Sequence, residues 1–377
     1  MSARWHELVG PQRFLREIRA DLEDGSCVIV ALPAAHPRGF TGVVERYLQR
    51  STTLTVGRFD VGTERDVPPV DSVYRRWRLQ RPEAPASAST LADCDGFQRV
   101  VALVDCTTND DSERWFEFVP RYADVVRNRP PEHRGLFCLV VSGHAELLPS
   151  GGPALQLRHW RGFVDSLDVK ILVREAWRVT AARAFGVGQA LREALISEFS
   201  SGDIELAVHL LDRPLGDLLA PADALTAFGR VRGWSADQVP EWKRGSLLVV
   251  DGRERTHPAR LAVDDVRLKE VERHIWRAEV EVLFPFIEDE RGRVVTEWRG
   301  ELSLSLQRRS VKTATGQVLD QPDQLELSHI VERLGVLPGT QALRDWLSLL
   351  HSVRNDLAHL RPGSREDVLR VAEMALR

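Results

Sequence analysis

The sequence is short of lysine, and the shortage is greatest in its N-terminal part. Lys170 is the first lysine in the chain, so the permanently charged side-chain cations before it are all arginines. A phosphate-binding loop of the form G-x-x-x-x-G-K-[ST] uses its lysine to hold the phosphates of a nucleotide. A complete loop of this type is therefore excluded from the N-terminal part. The preference for arginine is typical of a GC-rich bacterial genome.

Cysteine is also scarce, and its spacing excludes common zinc sites. The four cysteines are Cys27, Cys94, Cys106 and Cys138, and none of them forms a C-x-x-C pair. Three of them lie in or beside apolar runs, where a free cysteine packs as a small core residue. We therefore expect no metal site, and reduced cysteines are typical of a cytoplasmic protein.

Long apolar runs and an excess of positive charge are absent too. No run is long enough to span a membrane, and the first residues do not resemble a signal peptide, so we expect a cytoplasmic protein without a membrane partner. The formal net charge is −4, which gives no overall positive field to attract nucleic acid. A protein of this composition that acts on RNA needs a local basic patch or a partner that delivers the RNA.

The composition that remains is that of a folded protein with two or three domains. Hydrophobic residues make up 43% and charged residues 28% of the 377 positions. The pattern along the chain predicts four regions. They are an α/β domain over 1–175, a helical lid over 176–232, a linker or small hairpin over 233–263, and an all-α bundle over 264–377.

The N-terminal region alternates apolar strand-like runs with amphipathic segments, which predicts a mostly parallel sheet. The third strand ends in Asp105, and a loop containing Arg38, Gly39 and Thr41 follows the first strand. The predicted strands cover 27–33, 54–59, 99–105 and 135–143, with a possible fifth at 167–173.

This order of strand, loop, helix and a strand ending in Asp resembles the core of P-loop NTPases of the AAA+ and STAND group. The resemblance implies vestigial cofactor-binding roles for Arg38, Thr41 and Asp105. It departs from the family pattern because the loop lacks its lysine and because Cys106, not a glutamate, follows Asp105. We therefore expect no bound cofactor and no ATP hydrolysis. A plain α/β domain unrelated to NTPases, and a residual nucleotide-binding switch at Arg38, are the alternatives.

The last part of the chain contains a long amphipathic helix that begins near Thr340. Its apolar residues recur at steps of three and four, which predicts one buried face in a helical bundle. Arg354, Asn355 and His359 lie at its C-terminal end. The residues of the apolar face are Leu343, Trp346, Leu347, Leu350, Val353, Leu357 and Leu360.

The string Arg354-Asn355-x-x-x-His359 on such a helix resembles the signature of the HEPN superfamily, which are helical bundles and often metal-independent ribonucleases. The resemblance implies catalytic roles for Arg354, Asn355 and His359, RNA as substrate, and a homodimer through the C-terminal domain. An arginine suits a phosphate in its transition state, and a histidine moves protons near neutral pH. The alternative is that these are solvated residues near a helix end, where cations suit the helix dipole.

Two functions follow from these patterns. The first is a prokaryotic defence or toxin-type effector, in which a HEPN ribonuclease is regulated by an NTPase-like domain that does not hydrolyse ATP. The second is a non-enzymatic adaptor in an anti-phage defence complex, with both domains used to recognise other protein subunits. The sequence leaves the choice between them open.

Overall fold

A computed structural model describes residues 4–61, 67–107, 113–143, 148, 150–178, 186–312, 316, 318–335 and 337–375. The chain forms two compact units. The first contains residues 1–172, 201–205 and 237–257, and the second contains 173–200, 206–236 and 258–377. None of the helices within the described ranges combines the length and apolar character that crossing a membrane requires.

The first unit is built around a five-stranded sheet and also holds a two-stranded hairpin. Helix α6, which begins at Ser166, ends in the second unit. The strands are β1 Cys27–Leu32, β2 Thr55–Asp60, β3 Val100–Cys106, β4 Leu136–Ser142, β5 Leu155–His159, β6 Leu247–Val250 and β7 Arg253–Thr256. The helices are α1 Val9–Glu23, α2 Phe40–Ser51, α3 Pro69–Arg76, α4 Ala88–Ala92, α5 Glu113–Val126 and the first part of α6 Ser166–Arg178.

The large sheet has the order β2-β3-β4-β1-β5, and all of its neighbouring strands are parallel. Strands β1 and β3 are buried along their whole length, as the continuous apolar runs predict. The predicted parallel α/β core is confirmed. Strand β1 lies between β4 and β5, so the loop that follows it opens at the carboxyl edge near the middle of the sheet.

The predicted fifth strand at 167–173 is wrong, because this segment belongs to helix α6. Its buried residues Val169, Leu172 and Val173 recur at steps of three and four and share one helical face. Asp165 begins the helix by accepting the backbone N–H of Asp168 at 2.8 Å. The fifth strand is β5, a half-buried edge strand in which polar residues break the apolar pattern.

Asp168, in the first turn of α6, also caps the N-terminus of α1. Asp168 accepts the backbone N–H groups of Val9 at 3.0 Å and of Gly10 at 3.2 Å, two donors that lack partners within α1. Gly10 allows this close approach, because a Cβ at this position would lie 1.5 Å from the carbonyl oxygen of Phe163. Burial raises the pKa of Asp168, and the adjacent charge of Asp165 adds to the effect.

The second unit consists of helices and one very short hairpin, β8 Val311–Lys312 with β9 Val318–Leu319. Its longest helix, α12, continues through Pro285. The helices are the last part of α6, α7 Val187–Ser200, most of α8 Ile204–Leu210, α9 Leu215–Leu218, α10 Ala222–Val231, α11 Pro258–Ala262, α12 Leu268–Glu297, α13 Arg299–Arg308, α14 Leu327–Leu334, α15 Gln341–Ala358 and α16 Arg365–Met374.

Helix α15 is the amphipathic helix that the sequence predicts, and its apolar face is buried. Trp346, Leu350, Val353 and Leu357 are each at most 9% exposed. Helix α15 packs against α12 and α14, and its tryptophan donates Nε1–H to Glu290 of α12 at 3.0 Å. The C-terminal region is therefore a helical bundle organised around α12 and α15.

Candidate functional site

Two places in the molecule carry the residues that the sequence singles out, one in each unit. In the first unit this is the carboxyl edge of the sheet. Ligands of open α/β sheets bind in the crevice outside the carboxyl ends of the strands, where neighbouring strands connect in opposite directions. Strands β1 and β4 form such a pair here, since β1 leads to β2 on one side and β4 leads to β5 on the other.

The loop after β1 places an aromatic ring where a phosphate-binding loop has its lysine. Gly39 adopts a positive φ of 73° directly before α2, so we align it with the second glycine of G-x-x-x-x-G-K-[ST]. Phe40 then takes the position of the lysine and Thr41 that of the Ser/Thr. The ring of Phe40 is buried and stacks on Trp5, with ring centroids 5.4 Å apart, and lies against Trp160. The residue at the lysine position thus belongs to the core.

The backbone of this loop is bonded within the chain. Ala34 donates its N–H to the carbonyl of Lys243 at 2.7 Å, so this amide does not face an anion. Gly245 approaches so closely that a Cβ there would lie 2.4 Å from that of Ala35. At the end of β4, Ser142 donates Oγ–H to the carbonyl of Pro33 at 3.2 Å. The loop is fastened to the turn before β6 and to β4.

The cavity that remains beside this loop is small. Its volume is about 50 Å³, and its walls include Ala35, Trp160, Asp203 and Trp242. Sites for ligands of cofactor size usually measure roughly 300–1,000 Å³. The enclosed part of this cavity therefore has room for only a few water molecules.

Asp105 is buried at the end of β3 and is fully engaged by its neighbours. Its Oδ2 accepts a 2.6 Å hydrogen bond from Nη2 of Arg58 on β2, and its Oδ1 accepts from the backbone N–H and the hydroxyl of Thr107. The other terminal nitrogen of Arg58 lies 3.7 Å from the position that a Cβ on Gly42 would take. A guanidinium therefore fills the space between Asp105 and the first turn of α2.

The other two predicted cofactor residues, Arg38 and Thr41, differ in their surroundings. The side chain of Arg38 is 95% exposed and pairs with Glu205, whose Oε1 lies 3.4 Å from its Nε. Thr41 is buried in the first turn of α2. Sequence reasoning missed Phe40 and Arg58. The glycine at position 39 fixes the motif register and could have revealed Phe40, whereas the reach of Arg58 across two strands has no sequence signal.

In the second unit, the candidate site is the C-terminal end of α15. His359 is the residue after the helix, and its backbone N–H donates to the carbonyls of Asn355 and Asp356 at 3.1 Å. Its side chain is exposed, and no described residue forms a hydrogen bond with the imidazole. Leu360, which follows, has a positive φ of 59° and is 70% exposed. The exposed histidine is free to meet a ligand.

Arg354 and Asn355 are already partnered within the unit. Arg354 is half-buried, with its Nε 3.6 Å from a carboxylate oxygen of Glu288 on α12. Asn355 is exposed, and its Nδ2 lies 3.3 Å from Nε2 of His351, one turn earlier. Arg354 and Asn355 lie in the last turns of α15, and His359 directly follows it. A phosphate that binds Arg354 has to compete with Glu288 for it.

Comparisons with known proteins give little to add to this geometry. No family model matches the sequence, and no curated protein matches it. Among solved structures, two point mutants of RuvB from Thermotoga maritima are similar to 91% of this chain. They are 13% and 12% identical, the alignments cover 85% and 87% of the RuvB chains, and both TM-scores are 0.31. A likeness this weak shows neither a family nor a function for this chain.

Proposed function

We propose that this chain is a non-enzymatic adaptor whose α/β unit has an NTPase-like core that neither binds nor hydrolyses nucleotides. One observation supports the proposal: the chain's own residues fill the loop after β1 and take up its backbone donor. Phe40 occupies the lysine position as a core residue, and Lys243 takes up the amide of Ala34. If the unit binds no nucleotide, its role is to present its outer surface to other proteins.

Under this proposal the partners are other protein subunits of a prokaryotic defence complex. The test is to co-express the chain with the products of its neighbouring genes and to measure assembly by size-exclusion chromatography with light scattering. We expect a complex that forms without ATP and that the His359→Ala variant forms equally well. Total RNA incubated with either complex should stay intact.

Two results would contradict the adaptor. One is ATP turnover by the pure chain that disappears in Asp105→Ala. The other is RNA cleavage by the wild-type complex that His359→Ala abolishes. The first result points to a working nucleotide site, and the second points to the ribonuclease described next.

A second candidate function is a metal-independent ribonuclease formed by two copies of the C-terminal bundle. It is favoured by the exposure of His359 and Asn355 at the same helix end as Arg354. One arginine and one histidine rarely suffice to hold a phosphate and to move two protons, so two motifs have to meet across a homodimer.

The reaction would proceed by attack of a ribose 2′-oxygen on the adjacent phosphorus. His359 of one copy takes the 2′-hydroxyl proton, and the bond from phosphorus to the 5′-oxygen breaks. The second copy's histidine gives the leaving oxygen a proton, while Arg354 stabilises the added negative charge. Asn355 orients one of these groups. The products are a 2′,3′-cyclic phosphate and a 5′-hydroxyl, and DNA is not cleaved because it lacks the 2′-hydroxyl.

Cleavage of labelled RNA by the full chain, with EDTA present, tests this candidate. Arg354→Ala and His359→Ala should each abolish cleavage, while Arg370→Ala and His133→Ala, two exposed residues outside the motif, should not. Cleavage that survives His359→Ala places the chemistry elsewhere. Circular dichroism of each variant shows whether a loss of activity reflects a loss of fold.

A further inference from the structure

The groove between α13 and α14 contains a buried arginine that lacks an anionic partner. Arg333 lines this groove and is 7% exposed. Its Nη1 donates to the carbonyl and hydroxyl oxygens of Ser305 at 3.3 and 3.2 Å, and both of these acceptors are neutral. Its Nε has no hydrogen-bond partner, and no carboxylate of the described residues forms an ion pair with it. An arginine stays protonated in proteins, so a positive charge is buried here without compensation.

The unused side of this guanidinium has the geometry of an oxyanion site. Nη1 is occupied by Ser305, which leaves the edge formed by Nε and Nη2. Neither nitrogen of that edge donates to an acceptor among the described residues. Nε is shielded from solvent, so an anion in the groove reaches the guanidinium through Nη2, whose charge-assisted N–H bonds suit an oxygen of a carboxylate or phosphate. An anion at this edge would supply the missing counter-charge.

The charges along the groove favour an anion with one negative charge. Arg308, Arg309 and Arg333 line it together with Glu301 and Glu332, which leaves a net charge of about +1. Arg309 and Glu332 pair with each other at 3.4 Å, both on the exposed rim. A carboxylate balances the remaining charge, whereas a doubly charged phosphate exceeds it.

The size and the lining of the groove indicate the rest of the ligand. Its volume is about 450 Å³, within the range of small-molecule sites. Leucine side chains also line it, among them Leu304, which is 55% exposed. An exposed leucine beside a buried arginine gives an apolar wall next to an anion-binding head. We propose that this groove binds a small carboxylic acid with an apolar body, in its carboxylate form.

Hexanoate is a suitable probe, and isothermal titration calorimetry with the full chain measures its binding. Hexanamide has the same shape without the charge, and acetate has the charged head without the apolar body. We expect hexanoate to bind at least about tenfold more tightly than either, because only hexanoate satisfies both parts of the site. Inorganic phosphate should bind more weakly than hexanoate.

Arg333→Met is the decisive variant, since it keeps a flexible, unbranched side chain in the core and removes the guanidinium charge. Hexanoate affinity should fall at least about tenfold, and the increase in Tm that hexanoate gives the wild type should vanish. Lys312→Met removes one positive charge at an exposed position outside the groove lining and should bind hexanoate like the wild type. Should Arg333→Met fail to fold, Leu304→Glu tests the same site from its exposed rim and should also weaken binding.

Four outcomes overturn the proposal. The first three are the absence of hexanoate binding at about 10 mM, a concentration well above the Kd expected of a small-molecule site, equal binding of hexanoate and hexanamide, and full retention of binding in both groove variants. Tighter binding of inorganic phosphate than of hexanoate would also overturn it, because the ligand head would then not be a carboxylate.

Discussion

Glu279 on α12 carries a buried carboxyl group whose protonation couples the stability of the second unit to pH. Its side chain is fully buried, one oxygen accepts the backbone N–H of Gly363 at 2.8 Å, and the other has no partner. Burial raises the pKa of this carboxyl to about 8, and the negative charge of Asp356 adds to the shift. The folded protein therefore holds a proton here at neutral pH that the unfolded chain releases.

The sign of the pH dependence follows from this difference in proton binding. Between the unfolded pKa, near 4.5, and the folded value of about 8, the folded state binds more protons, so its stability falls as pH rises. At pH 7 this difference lowers the free energy of unfolding by about 3 kcal/mol relative to its value well below pH 4.5. Glu279→Gln removes it and should stabilise the protein at pH 8 while changing little at pH 4.5. Urea unfolding at both pH values measures this.

The control for that experiment lies on the same helix. Glu272 is exposed on α12, so Glu272→Gln should leave the difference in stability between pH 4.5 and pH 8 as it is in the wild type. If Glu279→Gln destabilises the protein at pH 8, the carboxyl is ionised in the folded state, and the assignment is wrong.

Gly10 gives a second prediction at the residue scale. Its backbone contacts Phe163 and Asp168 so closely that a methyl group has no room. Gly10→Ala should therefore destabilise the first unit by about 2 kcal/mol or more, since backbone has to move. The same substitution at Gly292 in α12, where nothing lies within 4 Å of an added Cβ, should stabilise the helix by roughly 0.5–1 kcal/mol. Thermal unfolding of the two variants compares them, and equal shifts would refute the steric argument.

At the scale of elements, α15 is the helix whose packing is best defined by its sequence. Leu350 is completely buried on the face toward its neighbours, so Leu350→Ala should reduce the free energy of unfolding by roughly 2–5 kcal/mol. Ser348→Ala on the exposed face should change it by less than about 0.5 kcal/mol. Denaturant unfolding measures both, and a loss of under about 1 kcal/mol for Leu350→Ala would contradict the observed packing.

Elements with a single strong pattern were predictable from sequence, and elements with mixed patterns were not. The continuous apolar runs of β1 and β3 and the three-and-four spacing of α15 each specify one structure. The start of α6 also reads as an apolar run, and β5 alternates leucine with polar residues at a sheet edge, so these two were confused. The start of helix α6 is fixed by Asp165 and Asp168. Their hydrogen bonds are visible only in three dimensions.

Sequence motifs predicted which residues belong to the candidate sites but not the contacts that those residues make. The placing of Arg354, Asn355 and His359 at the end of one helix follows from sequence, but the ion pair of Arg354 with Glu288 does not. The missing lysine indicated a defective phosphate loop. The backbone N–H of Ala34 in this loop donates to the carbonyl of Lys243, which lies more than 200 residues further along the chain. Long-range contacts of this kind leave no periodic signal.

At the scale of the whole molecule, ATP should not change the thermal stability of the protein. A ligand that binds the native state at 100 times its Kd stabilises it by about 2.7 kcal/mol and raises Tm accordingly. Because Phe40 is packed into the core and Arg58 is paired with Asp105, ATP with Mg²⁺ at millimolar concentration should leave Tm unchanged. Differential scanning fluorimetry with and without ATP checks this, and a saturable increase in Tm would show that a nucleotide still binds.

The position of β1 in the sheet has a consequence for how the chain is made. Strand β1 leaves the ribosome before its sheet neighbours β4 and β5, because both of them begin more than 100 residues later in the chain. Until Leu136 and the residues after it have emerged, its six consecutive apolar residues have no sheet partner within the nascent chain. Such a segment is prone to aggregate while it waits. Synthesis of this protein should therefore depend on chaperones that cover the N-terminal strand, and chains truncated before β4 should be recovered as insoluble material.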